Sequence, residues 1–222
     1  MSIHHHLDAA TLMRYASGDL DTAFTIVVAS HLAMCDTCRA SVRLAEAMGG
    51  KCLDDAPAPM LSDGAFARLS HAIDAGVPRE VPAAAMDQDN RVRQSSDVPL
   101  PLRKHVGDTF EGVNWRMIVP GVHRHRIELA DTRSSLYMLK IGEGRKIPEH
   151  GHGGTEMTLV MRGSYSDVLG HYGAGDVADL DEHVEHQPVV NSSEPCICLV
   201  ATEEPTQFKG IVSRLMQPFV GI

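Results

Sequence analysis

Nowhere in the 222 residues does an apolar run approach the roughly 18 residues of a membrane-crossing helix. No signal peptide opens the chain either. Both absences predict a cytoplasmic protein without a membrane partner. Positive charge is scarce, with 20 Lys and Arg against 29 Asp and Glu, a formal charge of −9. The deficit is shared, with 6 basic against 10 acidic side chains in residues 1–80 and 14 against 19 in the remainder. No basic stripe appears, which excludes direct nucleic-acid binding, where phosphate neutralisation dominates affinity. A basic protein partner fits better. Cysteine is sparse and odd in number, five in all. That excludes a disulfide framework and suits a reducing compartment. Internal repeats are lacking too.

What is present begins with His6, His31, Cys35 and Cys38, an array of the form H‑x24‑H‑x3‑C‑x2‑C. Thiolate and imidazole are the donors zinc prefers, and a closed structural site needs four of them. His31 and Cys35 stand one helical turn apart and share a helix face. Cys38 follows at the spacing usual for two thiolates on one ion. His6 would clip the start of the chain onto that helix. The run His4‑His5‑His6 is too short for a purification tag and is read as native.

Short helices organise the first part. Asp8 can cap a helix through Ala16 that ends at Gly18, and Asp21 can cap another from Thr22 to about Ala33. In the second, Phe24, Val27, Val28, His31 and Leu32 recur at helical spacing. Asp36 can start a third, stopped at Gly49‑Gly50. Ser62 can cap a fourth to about Ala75, with Phe66, Leu69 and Ile73 as its apolar stripe. The breaker-rich stretch 54–59 predicts that this helix is detached from the first three. Three short helices bury little surface, so a metal is expected to supply the missing stability. Residues 77–101 turn to Pro, Ala, Asp, Gln, Ser and Arg and read as linker. Beyond them, runs at 115–119, 135–141, 156–161 and 196–201 are separated by Gly, Pro and Asp, as in an all-β sandwich or barrel. The expected domains are therefore 1–80, all-α, a linker 81–100, and 101–222, all-β.

A second constellation lies in 144–163. On a strand His150 and His152 project to one side, and Glu156, also an even number of residues away, can join them from the adjacent strand. Two imidazoles and a carboxylate suit a divalent transition metal. A fourth ligand is expected from a later strand, with His183 and His186 as candidates. The stretch resembles the first motif of the cupin superfamily, G‑x5‑H‑x‑H‑x3‑E‑x6‑G, at every defined position. The second motif, G‑x5‑P‑x‑G‑x2‑H, maps onto Gly175 through His186. Asp181 stands at its Pro position and His183 at its Gly position, so only Gly175 and His186 match, which favours His186.

An H‑x3‑C‑x2‑C helical unit followed by a cupin resembles the ChrR-type zinc-binding anti-sigma factors over almost the whole chain. That resemblance implies a small zinc-binding helical bundle followed by a cupin jelly-roll barrel. It implies zinc on His6, His31, Cys35 and Cys38, and zinc or another divalent metal on His150, His152, Glu156 and His186. The implied partner is a group IV (ECF) sigma factor, held from RNA polymerase by the helical domain and released when the cupin senses singlet oxygen or peroxides. Phe66, Leu69 and Ile73 are the candidate partner contacts. Cys196 and Cys198 share one face of a late strand, where a sulfenic acid on one could be resolved by the other as a redox pair. The competing reading is enzymatic, a cupin dioxygenase or isomerase with an open metal position and a zinc-binding appendage. A DNA-binding zinc finger fails on charge, because no Lys or Arg cluster follows Cys38.

Overall fold

A computed structural model of the chain describes residues 2–76, 96–130, 132–205 and 207–208. Most of the expected linker, 81–95, lies outside them. Helices come first and strands after. The helices are α1 (Ala9–Ser17), α2 (Thr22–Met34), α3 (Asp36–Asp54), α4 (Ala65–Asp74) and α5 (Leu100–Val106). Asp8 and Asp21 cap α1 and α2 through their carboxylates, which accept the Thr11 and Ala23 N–H groups, and α1 ends at Gly18 in the left-handed region. Capping is a local decision, so it follows the sequence closely.

Three helical expectations need correction. Gly49‑Gly50 does not stop α3, which continues to Asp54; a helical glycine costs only about 1 kcal/mol against alanine. Ser62 does not cap α4, whose N-cap is Gly64 at φ +71°. The stretch expected to be linker up to residue 100 ends sooner, because Val98 is buried and α5 begins at Leu100. Pro101 lies in its first turn, where the missing N–H is harmless.

The strands are β1 (Arg116–Val119), β2 (Val122–Ile127), β3 (Ser135–Ile141), β4 (His150–Gly151), β5 (Glu156–Arg162), β6 (Ser164–Asp167), β7 (Gly170–Gly173), β8 (Val177–Leu180), β9 (Glu185–His186), β10 (Val189–Val190), β11 (Cys196–Thr202) and β12 (Gln207–Phe208). They form a six-stranded sheet in the order β1‑β2‑β3‑β11‑β5‑β8 and two three-stranded sheets, β10‑β6‑β7 and β12‑β4‑β9. The pairings of these strands are antiparallel.

Strand alternation separates two cores. Ile197, Leu199 and Ala201 of β11 join Met157, Leu159 and Met161 of β5 and Leu136 and Met138 of β3 in a cluster with α2 and α5. Cys196, Cys198 and Val200 face the other way, with Tyr137, Leu139, Val160 and Tyr165. Every residue of β11 is therefore buried, which is why its sequence is apolar from Cys196 to Ala201 rather than alternating. Helix α2 is apolar almost all round, with Ala23, Phe24, Ile26, Val27, Val28, Ser30, His31 and Leu32 buried. A helix of that kind needs cover on more than one side, and the sheet supplies it. Met1–Glu46 and Asp97–Ile222 accordingly form one compact unit, and Ala47–Ser96 a second. The chain divides at residues 46 and 97, where composition alone suggests 80 and 100. In the second unit α4 buries no residue, and Phe66, Leu69 and Ile73 are 79, 60 and 68 % exposed.

Candidate metal centres

The N-terminal cluster gathers His6 before α1, His31 from the last turn of α2, Cys35 between α2 and α3, and Cys38 from the first turn of α3. Potential ligand atoms of His6, His31, Cys35 and Cys38 all lie within 4.8 Å of one another. His6 Nδ1 is 3.3 Å from Cys35 Sγ and 3.5 Å from Cys38 Sγ. The Cys38 N–H points at Cys35 Sγ at 3.4 Å. His31 is fully buried, and its Nδ1–H donates to the Gly175 carbonyl at 2.9 Å. That bond fixes the tautomer and leaves the lone pair on Nε2, which has no hydrogen-bond partner among the described residues. Burial holds the His31 imidazolium pKa below its usual range, so the ring is neutral. Burial also pushes the Cys38 thiol up to about 11. A buried, unpartnered nitrogen in a cluster with two cysteines, on a ring whose other nitrogen is anchored on a carbonyl, suits an imidazole ligand of a structural zinc. The residues present fit that ion.

The second cluster lies inside the β domain, where His150, His152, Glu156 and His186 are all buried with ligand atoms within the same 4.8 Å limit. Register explains the meeting, because β4 pairs with β9 so that His150 sits opposite His186. Glu156 opens β5 and accepts the Thr158 hydroxyl on Oε1 at 3.1 Å, while its Oε2 lies 3.4 Å from His152 Nδ1. His150 donates its Nδ1–H to the Pro148 carbonyl at 2.8 Å, and His186 donates its own to the Asp167 carboxylate at 2.7 Å. Both rings therefore carry lone pairs on Nε2, and those two atoms face each other at 3.0 Å. Two acceptors at that distance repel unless a cation lies beside them. Burial brings the His150 pKa down to about 4 even with Glu156 opposing, so this ring offers a free lone pair near neutral pH. Burial raises Glu156, but His152, His150 and His186 outweigh it and hold the carboxylate ionised. Three imidazoles, one carboxylate and second partners for two rings suit a divalent transition metal. His183, the rejected alternative, is exposed beside Glu182.

Beside this cluster a cavity of about 40 Å³ is lined by His150, Glu156, His186, Tyr165, Cys198 and apolar side chains. Cys196 and Cys198 share that side of β11 with their sulfurs 3.6 Å apart. The contact with Cys196, together with burial, pushes the Cys198 thiol well above its usual range.

Residues 103–205, which hold the whole second cluster, match the ChrR cupin-like domain. Over all 222 residues, and all of the relative, the chain is 37 % identical to the anti-sigma-E factor ChrR of Cereibacter sphaeroides. The chain belongs to the ChrR family of anti-sigma factors. A crystal structure of Rhodobacter sphaeroides SigE in complex with the anti-sigma ChrR contains a chain of similar fold. It is 34 % identical at a TM-score of 0.76, covering 90 % of this chain and 99 % of that one. The β domain of this ChrR-family chain is thus cupin-like, preceded by helices. Sequence reasoning missed the residues that orient its candidate ligands. Asp167 and the carbonyl of Gly175 lie 19 and 144 residues from the histidines they hold. No local spacing announces such partners.

Proposed function

We propose that the chain binds and inhibits a group IV (ECF) sigma factor in the cytoplasm and releases it under oxidative stress from singlet oxygen or peroxides. The full-length identity to an anti-sigma-E factor, spanning both four-residue clusters, carries this reading. No helix among the described residues is long and apolar enough to cross a membrane. The acidic balance suits the basic surfaces by which a sigma factor meets DNA. Inhibition works by occlusion: the helices fill the space that polymerase would otherwise occupy. Phe66, Leu69 and Ile73 on α4 form an apolar stripe suited to a partner's groove.

Zinc is the ion proposed for the N-terminal cluster, and zinc or a similar divalent metal for the cupin cluster, each fixing four side chains that are otherwise separate in sequence. The jelly-roll barrel around the second cluster is the sensing part, and a regulatory role suits its dimensions. A 40 Å³ cavity admits a molecule of a few atoms, whereas pockets that take drug-sized ligands measure about 300–1,000 Å³. Cys196 and Cys198 respond late. Both are buried, so only an opened β domain exposes them to an organic hydroperoxide, which joins the two thiols as a disulfide and leaves as alcohol and water.

The test is transcription in vitro from an ECF-dependent promoter, with the cognate sigma factor and the full-length protein loaded with zinc. Suppression that requires a one-to-one complex supports the reading. Undiminished transcription with no complex on gel filtration rules it out.

A further inference from the structure

We propose that the β6–β7 hairpin and the turn after it make the N-terminal cluster depend on the cupin cluster. The inference rests on reading both clusters as metal sites. Asp167, at the end of β6, has two tasks. Its Oδ2 takes the Nδ1–H of His186 at 2.7 Å, and its Oδ1 accepts the Leu169 and Gly170 N–H groups at 2.8 and 3.2 Å, closing the hairpin. The carboxylate that aims a cupin ligand therefore also shapes the turn.

The hairpin in turn holds the residues that precede His6. Tyr172 of β7 stacks on His5 with ring centres 4.1 Å apart, and is itself stacked on Tyr165 at 5.0 Å. Gly170 lies so close to His5 that an added Cβ would stand 3.3 Å from Nε2. In the turn after β7, Asp176 Oδ1 accepts the His4 and His5 N–H groups at 2.6 and 2.9 Å, while its Oδ2 accepts the Gly173 N–H at 2.8 Å. The neighbouring Gly175, at φ +94°, gives its carbonyl to His31 and leaves room for Ile3, whose Cδ1 would stand 2.7 Å from a Cβ. One turn thus aims His31 and pins the segment that delivers His6. Two of the four N-terminal ligands are held by a strand pair whose own shape is tied to His186.

When His186 loses its place, Asp167 loses the partner that fixes it and the hairpin loosens. His5, Asp176 and the Gly175 carbonyl then shift together. Asp176 is a positioning residue, since it touches neither cluster's donor atoms.

The experiment uses the full chain. Elemental analysis first counts zinc and other divalent transition metals, and two equivalents in all per chain are expected. A wild-type chain holding fewer than two overturns the two-metal reading and this proposal with it. Alkylation of Cys35 and Cys38 is then followed by peptide mass spectrometry in the presence of a chelator. His186→Gln, which removes a donor from the cupin cluster, accelerates alkylation of these distant thiols by about 10- to 100-fold, the range expected when second-sphere support is lost. Asp176→Ala does the same while the cupin metal stays bound. Asp176→Asn, which keeps an acceptor oxygen for His4 and His5, restores a rate near wild type. If His186→Gln does not fold, Asp167→Ala, which cuts the link between His186 and the hairpin turn, takes its place, with the same two outcomes. Wild-type thiol rates in His186→Gln with one metal lost, or in Asp176→Ala, overturn the coupling.

Discussion

Replacing His31 by leucine separates a metal ligand from an ordinary core histidine by the sign and size of one number. As a core residue His31 gains about 1 kcal/mol from its bond to the Gly175 carbonyl and loses about 1–3 kcal/mol for a buried Nε2 without a partner. Leucine removes the orphaned nitrogen and strands the carbonyl, so the balance stays near zero. As a ligand His31 supplies one of four donors to an ion that contributes about 10–16 kcal/mol in small zinc modules. A quarter of that is roughly 2.5–4 kcal/mol. At about 2–4 °C per kcal/mol for a chain of this size, the zinc-loaded variant should melt roughly 5–16 °C below wild type. Thermal unfolding by circular dichroism, with excess zinc and again with chelator, measures both arms. With chelator the two proteins should converge. A His31→Leu protein that melts within about 2 °C of wild type in zinc would falsify the ligand assignment.

Leu199→Ala, at a fully buried position in the middle of β11, should lower stability by about 2–5 kcal/mol in denaturant titration; an unmoved midpoint contradicts the shared core of α2 and the sheet. Burial raises the Asp21 carboxyl, but hydrogen bonds from Thr132, Ala23 and Arg133 outweigh it and hold its pKa below the usual value. Its stabilisation is then complete above the unfolded-state pKa near ~3.9 and is lost as the pH falls through the folded value. Asp21→Ala should therefore cost about 0.5–2 kcal/mol at pH 7 and progressively less below about pH 4; a gap that persists in acid refutes the linkage. Brief iodoacetamide treatment of the native, zinc-loaded chain should label Cys52, the exposed cysteine, and spare the other four, and rapid labelling of Cys196 or Cys198 contradicts their burial. Serine at Phe66, Leu69 and Ile73 together should weaken the sigma complex by at least about 30-fold, since a buried anchor is worth about 2 kcal/mol or more, with little change in melting; unchanged affinity removes α4 from the interface.

What the sequence disclosed follows the range of each interaction. Asp8 and Asp21 cap their helices because the groups involved lie two or three residues apart. The strand is legible at 196–201 because a run buried on both faces has to be apolar throughout. Both four-residue clusters were legible because donor types constrain chemistry even when the fold is unknown. The shared core was misjudged, although α2 carried the signal. Its Ala23, Ile26 and Val27 widen the apolar stripe until no solvent face remains, which a small independent bundle does not need. Asp167, Asp176 and the Gly175 carbonyl were illegible because their roles depend on which distant residue the topology brings to them.

The alternation along β11 bears on any attempt to take this protein apart. Deleting residues 1–46 would strip α2 from one side of the six-stranded sheet and leave Ile197, Leu199, Met157 and Leu159 facing water. A trimmed β fragment would then need polar replacements at those odd-numbered positions to remain in solution. A swap of helical modules between related regulators would have to carry the matching sheet surface along. Lineages that exchange sensors should accordingly show paired changes on α2 and on the outward rows of β5 and β11.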